Sequence, residues 1–145
     1  MNFRVLALLL SVSFFFIQCA TQKNSSNAWQ KSIEEAYYTI WSTGAAPAGT
    51  GANFFVKFNK TGDVKVQSFV VNEEDVEFEL RQTETETLII GRKYTSPDFE
   101  KQNQEMPEFY RQEKYNGMLS FSVEGKTVSV SISSFERREP DQRNL

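Results

Sequence analysis

The chain has 145 residues, with 16 Lys and Arg against 19 Asp and Glu, a formal charge of −3 and no histidine. The lack of histidine excludes Ser-His and Cys-His nucleophile pairs and His-ligated metals, and a single cysteine, Cys19, excludes an internal disulfide or a zinc-thiolate site. We therefore expect no catalytic residues of these kinds, no metal and no cofactor. The near balance of charge, without a Lys/Arg cluster, argues against a nucleic-acid partner.

A positive residue and an apolar run lie near the start of the sequence. Arg4 precedes 13 mostly apolar residues, 5–17. As a helix this run would rise roughly 20 Å, which is short of the roughly 30 Å core of a bilayer. Residues 1–18 are therefore predicted to be a secretory signal peptide and not a permanent membrane span.

The residues around Cys19 resemble a bacterial lipobox, in which an apolar run ends at a cysteine. Phe16 and Gln18 stand where the strict pattern prefers Leu and Gly or Ala, so the match is to the relaxed form of Bacteroidota lipoproteins. The resemblance implies that Cys19 becomes the first mature residue and carries a diacylglyceryl group and a palmitate-type acyl chain. The alternative is an incidental cysteine after an ordinary signal.

The resemblance also indicates where the mature protein is held. Residues 19–28 are polar and are predicted to be a tether between the lipid and the folded part. They contain no acidic cluster, which commonly accompanies export to the cell surface in this family. The expected location is the bacterial cell envelope, lipid-anchored in a membrane and facing the periplasm.

Alternation of apolar and polar residues over 29–137 predicts one all-β domain, followed by a polar tail at 138–145. We expect a single antiparallel sandwich or small barrel of about seven strands. Its first strand is predicted at about Glu35–Thr43, after a helical turn, although the spacing of this segment also suits a helix. Two hairpins are expected, one through Asn59–Asp63 and one through Gly125.

Three further predictions concern single strands, and the first two of them concern faces. In 64–71 we expect Val64, Val66, Ser68 and Val70 to share one face. In 75–82 the strand is expected to place its apolar residues opposite its charged residues, which are Glu77, Glu79 and Arg81. Gly91 is expected to mark a bulge or a close backbone approach.

A second resemblance covers residues 36–58, "AYYTIWSTGAAPAGTGANFFVKF". It is to a segment of small uncharacterised Bacteroidota proteins, in which aromatic residues precede a glycine-rich loop and a strand. This resemblance implies no activity. The glycine-rich part lacks the lysine and the following helix of a phosphate-binding loop.

The same segment holds the predicted binding surface. Glycines let a partner approach the backbone closely, and of the consecutive aromatic pairs Tyr37–Tyr38 and Phe54–Phe55, each strand can bury only one member. The predicted surface residues are Tyr38, Trp41, Gly44, Gly49, Gly51 and Phe55. They favour a non-enzymatic binding module whose partner is an envelope protein or glycan.

The alternative function is a small envelope hydrolase that uses carboxylates. Glu73, Glu74 and Asp75 are adjacent, and carboxylates can bind Ca²⁺ or act as an acid/base pair. The run lacks the spacing of a calcium loop, and the sequence marks no second carboxylate across a cleft. A solvated acidic turn is therefore the preferred interpretation.

Overall fold

A computed structural model describes residues 25–42, 50–95 and 114–140. Two stacked β-sheets form most of it, and this confirms the predicted all-β sandwich; the sheets do not close into a barrel. Seven strands within these ranges have six or more residues, and β4 and β9 have two each. The strands are β1 (Ile33–Ser42), β2 (Thr50–Phe58), β3 (Val64–Val71), β4 (Glu74–Asp75), β5 (Glu77–Gln82), β6 (Thr87–Thr95), β7 (Gly117–Val123), β8 (Lys126–Ile132) and β9 (Glu136–Arg137).

One sheet has five strands in the order β5-β6-β2-β1-β9, and the other has four in the order β4-β3-β7-β8. The neighbours are antiparallel, except that β9 runs parallel to β1. The predicted hairpin through Asn59–Asp63 does not form, because β2 and β3 belong to different sheets. Alternation shows which face of a strand is buried, but it does not show which strand lies beside it.

The core lies between the inner faces of the two sheets. Burying each large apolar side chain there contributes about 1.5–3 kcal/mol to stability. The apolar faces that the alternation creates therefore pack against each other as two layers. The largest buried side chains are Tyr115, Phe54, Phe58, Phe69, Phe121, Ile89, Leu119, Val56, Val71, Val128 and Val130.

Strand β3 departs from the predicted alternation. Its pairing with β7 shifts register between Val66 and Ser68. A bulge adds one residue to a strand and reverses the facing of the residues after it. As a result Phe69 and Val71 are buried, whereas Ser68 and Val70 are only half-buried.

Gly91 on β6 is where the two sheets approach closely. A Cβ at this position would lie 2.6 Å from Cε1 of Phe69 and 2.9 Å from Cγ2 of Val76. Phe69, turned inward by the bulge in β3, therefore fills the space that a side chain at Gly91 would need. The close contact at Gly91 is thus made by the side chains of Phe69 and Val76, whereas the sequence predicted a bulge or an approach of backbone.

The hairpin of β7 and β8 forms as predicted. Glu124 and Gly125 both have positive φ, 51° and 77°, as a two-residue turn of this kind requires. The flanking residues Val123 and Lys126 are paired. The turn thus fixes the register that places alternate residues of both strands in the core.

A helix at residues 25–31 covers the outer edge of β8. Ser26 Oγ accepts a hydrogen bond from the N–H of Ser129, and the Gln30 amide both donates to and accepts from the backbone of Ser131. Trp29 is 2% exposed and packs edge-on against Phe58 and Phe121. Because residues 25–28 are helical, the packed part of the chain begins within the segment predicted as tether.

The sandwich has two distinct ends. The residues 59–63 and the turn of β7 and β8 lie at one end, called here the proximal end, where the Gln82 amide donates to the Gly62 carbonyl. The helix reaches this end through Trp29, whose ring lies beside Gly62 and under the ammonium of Lys60. Ser42, Thr50 and Thr95 are paired at the opposite end, called the distal end. Strand β1 has ten residues and joins the two, so they are about 30 Å apart.

Candidate functional site

The outer face of the five-stranded sheet carries three of the predicted surface residues, Trp41, Gly51 and Phe55. Cross-strand pairing arranges its side chains in four rows from the distal to the proximal end. The rows are Trp41–Gly51–Tyr94, Thr39–Asn53–Arg92–Glu77, Tyr37–Phe55–Ile90–Glu79 and Glu35–Lys57–Leu88–Arg81. Two aromatic rows are therefore separated by a polar row.

The distal row is called here the aromatic patch, and it consists of Trp41, Gly51 and Tyr94. The indole of Trp41 lies against the backbone of Gly51, where a Cβ would overlap the ring. Tyr94 is 58% exposed and meets the indole edge-on, with 5.7 Å between ring centroids. Because residue 51 is glycine, the indole of Trp41 can contact the strand backbone beside the exposed Tyr94.

The second aromatic row is built differently. Tyr37 and Phe55 stack with 4.7 Å between ring centroids and 11° between ring planes. The guanidinium of Arg138 lies 4.2 Å from the centroid of Tyr37. Arg138 is itself held by Glu35 and Glu136, and the hydrogen bond to Glu35 is the main cause that raises its pKa. Since Tyr37 packs against both a ring and a cation, this row has less ring surface to offer a partner than the aromatic patch has.

Several charged groups elsewhere on the face are paired with each other. Glu79 forms ion pairs with Arg81 and Arg92, and the hydrogen bond from Arg81 is the main cause that lowers the pKa of Glu79. Lys57 lies 2.9 Å from a carboxylate oxygen of Glu86 and 3.0 Å from one of Glu34, and these contacts raise its pKa. These charges stabilise the face and are already partnered.

The structure brings only some of the predicted surface residues together. Trp41 and Gly51 form the aromatic patch, while Phe55 lies in the second aromatic row. Tyr38 is 2% exposed and belongs to the core, where it packs against Phe54 and Tyr115. Its neighbour Tyr37 takes the outer position, because successive residues of a strand point to opposite faces. The remaining predicted residues, Gly44, Gly49 and Cys19, lie outside the described residues.

Tyr94 is the surface residue that sequence reasoning missed. Alternation in β6 places it on the same face as Arg92 and Ile90, opposite to Gly91. The alternation is visible in the sequence, but it identifies Tyr94 as part of the site only when the pairing of β6 with β2 is known. The pairing sets Tyr94 beside Gly51 and hence beside Trp41.

The three adjacent carboxylates are exposed. Glu73 has a φ of 68° in the turn before β4, and Glu74 and Asp75 form β4 itself. Glu74 lies 2.6 Å from the ammonium of Lys93, which joins the two sheets at the distal end. Within the described ranges no three Asp, Glu, His or Cys side chains are grouped so that they could hold a metal ion.

The comparisons with known proteins give no assignment. No protein-family model, curated protein or solved structure matches the chain. Separately, the part of the chain that the structure describes contains no helix with the length and hydropathy needed to cross a membrane. The geometry of the surface is therefore the main guide to function.

Proposed function

We propose that the protein is a lipid-anchored binding module of the bacterial cell envelope, without enzymatic activity, that holds its partner at the aromatic patch. The observation that carries the proposal is the position of this patch. Trp41 and Tyr94 lie at the distal end of the sandwich, whereas the chain enters the domain through the helix at the proximal end.

The lipid anchor rests on the lipobox resemblance at Cys19. Three acyl chains would bind a membrane durably, because each buried CH₂ contributes about 0.8 kcal/mol. From Cys19 to Ser25 the chain advances six residues, which can span at most about 21 Å. This short connection joins the proximal end, so an anchored domain would direct its aromatic patch away from the bilayer that holds it.

The binding role rests on the composition and rigidity of the aromatic patch. Trp and Tyr supply much of the energy in protein interfaces, because they combine a large apolar area with a polar group. The backbone of Gly51 supports the indole of Trp41, so little side-chain freedom would be lost on binding. Asn53 in the adjacent row can supply hydrogen bonds to a partner.

The binding role is tested with the double variant Trp41→Ala/Tyr94→Ala. In living cells that carry the full chain, chemical cross-linking is expected to join the parent to a defined envelope component and to fail with the double variant. Met118→Ala is the matched control, because Met118 is 51% exposed but lies on the four-stranded sheet. Equal thermal unfolding of all three proteins would show that folding is intact, and cross-links that persist in the double variant would refute the proposal.

The anchor is tested separately, by mass spectrometry of the mature amino terminus. We expect a diacylglyceryl thioether on Cys19 and an acylated amine. Cys19→Ser should remain unprocessed or be released from the membrane fraction. An unmodified thiol on the parent would remove the anchor without affecting the binding role of the aromatic patch.

A further inference from the structure

Three of the four edges of the two sheets are covered or short in the part of the chain that the structure describes. The edge of β8 is covered by Ser26 and Gln30 of the helix. Strands β4 and β9 have only two residues each. Covering and shortness are means by which natural sheets avoid strand addition. The fourth edge belongs to β5, which has six residues and pairs with β6 on one side, so strand addition is least hindered there.

The backbone groups of Phe78 and Leu80 point away from β6. The N–H of Thr83 donates across the turn that joins β5 to β6, and successive residues of a strand direct both backbone polar groups to opposite sides in turn. The even-numbered residues of β5 are therefore directed to its free side. Val76, just before β5, agrees with this assignment, because its N–H donates to the carbonyl of Phe69 on the other sheet.

This free edge is exposed and carries apolar side chains. Phe78 is 42% exposed, although it pairs with Gly91 and so belongs to the inner face of the sheet. Leu80 lies on the same inner face and is half-buried against the core. Among the described residues, none forms a hydrogen bond with the backbone of Phe78 or Leu80 on the free side. A strand added there would bury the exposed ring and satisfy these backbone groups together.

We propose that the protein forms a symmetric dimer in which β5 pairs antiparallel with β5 of a second copy. In the register centred on Glu79, Phe78 lies opposite Leu80 of the second copy, and Glu77 lies opposite Arg81. Each pair occurs twice because of the twofold symmetry. An apolar pair and a pair of unlike charges both stabilise neighbouring strands. The edge is thus complementary to itself, and this complementarity favours a second copy as its occupant.

Glu79 would meet its own counterpart at the twofold axis of this dimer. Like charges directly opposite each other destabilise a pair of strands, and charged residues can protect an edge. Here each Glu79 carboxylate is already paired with Arg81 and Arg92 of its own copy. The two carboxylates that meet are therefore neutralised, and the charge on β5 does not oppose the pairing.

The dimer is compatible with two lipid anchors in one membrane. Its twofold axis is perpendicular to the joined sheet, so both copies turn the outer faces of their five-stranded sheets to the same side. The helix that follows the predicted tether contacts Ser129 and Ser131 on the four-stranded sheet, which is the opposite layer. With the strands parallel to the membrane plane, both anchors can reach one bilayer while both aromatic patches face away from it. Two patches on one surface would strengthen the binding of a repetitive partner.

The main test is a disulfide bond across the twofold axis. In Glu79→Cys the introduced residues would face each other with about 4.5 Å between Cα atoms, which a disulfide can span. In Glu77→Cys, the matched control on the same face, they would be roughly 14 Å apart, because they are offset by four residues along the strands. In living cells that carry the full chain and receive a mild oxidant, Glu79→Cys should form disulfide dimers. Glu77→Cys and the parent should form at least tenfold fewer.

A second test measures the association without a cross-link. Light scattering by the full chain in excess detergent should show the mass of a dimer as the protein concentration rises. Phe78→Lys should weaken association at least tenfold, because the ammonium would be buried opposite Leu80 of the second copy. Met118→Lys is the matched control, since Met118 is 51% exposed but lies on the four-stranded sheet, and it should associate like the parent. Circular dichroism of both variants should match that of the parent and so show that the fold is intact.

The possible outcomes decide the proposal. A parent that stays monomeric at every concentration, or a Glu77→Cys variant that cross-links as readily as Glu79→Cys, would overturn the pairing of β5. A disulfide between Glu79→Cys and a different envelope protein would overturn the choice of a second copy. Trp41→Ala/Tyr94→Ala should leave the dimer intact, and its dissociation would move the interface to the aromatic patch. The dimer and the binding role of the patch therefore stand or fail separately.

Discussion

The two faces of the five-stranded sheet use the same aromatic residue types in opposite ways. On the inner face, Tyr38 and Phe54 pack among other rings with centroid separations of about 5–6 Å, and both are almost fully buried. On the outer face, Tyr37 and Phe55 form a stack beside Arg138. A shift of one residue along a strand thus separates a ring that holds the two sheets together from one that shapes the surface.

The largest expected effect comes from comparing Phe54→Ala with Phe55→Ala. Phe54 is fully buried, so its removal should lower the free energy of unfolding by about 3–5 kcal/mol through lost burial and a residual cavity. Phe55 is half-buried on the outer face and should cost about 1–2 kcal/mol, mainly through the lost stack with Tyr37. Urea unfolding of both variants measures the difference, and equal costs would contradict the assigned facings.

Two glycines extend the comparison with a smaller effect. Gly91→Ala should lower the free energy of unfolding by about 1–3 kcal/mol, because its Cβ would press on Phe69 inside the closed core. Phe69→Leu should restore part of this loss, since the neighbouring side chain would then be smaller. A Gly91→Ala protein as stable as the parent would show that the sheets are not in close contact there.

Gly51→Ala tests the corresponding position on the outer face. Its Cβ would displace the indole of Trp41, so we expect tryptophan fluorescence to shift to longer wavelength as the ring enters water. Trp29 is buried among Phe58 and Phe121 and should contribute an unchanged signal. Trp41→Phe is the control that isolates the Trp29 contribution, and an unshifted spectrum would mean that the indole does not lie on residue 51.

The sequence predicts the facing of strands better than their partners. Alternation correctly placed the inner residues of the β7–β8 hairpin, because its two-residue turn at Glu124–Gly125 also fixes the register. It failed for 59–63, where loop-type residues connect different sheets, and in the second half of β3, where a bulge reverses the facing. Crossovers and bulges are decided by packing between sheets, which local pattern does not encode.

The candidate site was predictable to a similar extent. Trp41 and Gly51 were identified from the sequence, but the choice between Tyr37 and Tyr38 depended on which face of β1 meets the core. Tyr94 is distant in sequence and joins them only through the pairing of β2 with β6. The parallel pairing of β9 with β1 is an arrangement that nothing in the alternation indicates.

A moderate effect is expected from Arg138→Gln. This change removes the cation over Tyr37 and the ion pairs with Glu35 and Glu136. Because Arg138 is partly exposed, the loss should be about 0.5–1 kcal/mol. Arg137→Gln, at the preceding position and the last residue of β9, is the matched control and should cost less. A double-mutant cycle with Tyr37→Leu isolates the contribution of the ring and the cation.

The smallest effect concerns the charges of the outer face and their dependence on pH. The pKa of Glu79 is lowered in the folded protein, chiefly by the hydrogen bond from Arg81. A carboxylate with a lowered folded-state pKa stabilises the protein above its unfolded pKa, and this stabilisation is lost as pH falls through the folded-state pKa. The contribution should therefore be present at neutral pH and absent in strong acid.

Arg81→Gln tests this assignment without removing the carboxylate. The pKa of Glu79, followed by carboxyl carbon shifts in NMR titration, should move up toward its ordinary value. The rise should be incomplete, because Arg92 remains paired with the same carboxylate. An unchanged pKa would mean that Arg92 alone lowers the pKa of Glu79. The ion pairs of Glu79 would then depend on the pairing of β5 with β6 and not on the contact with Arg81 within β5.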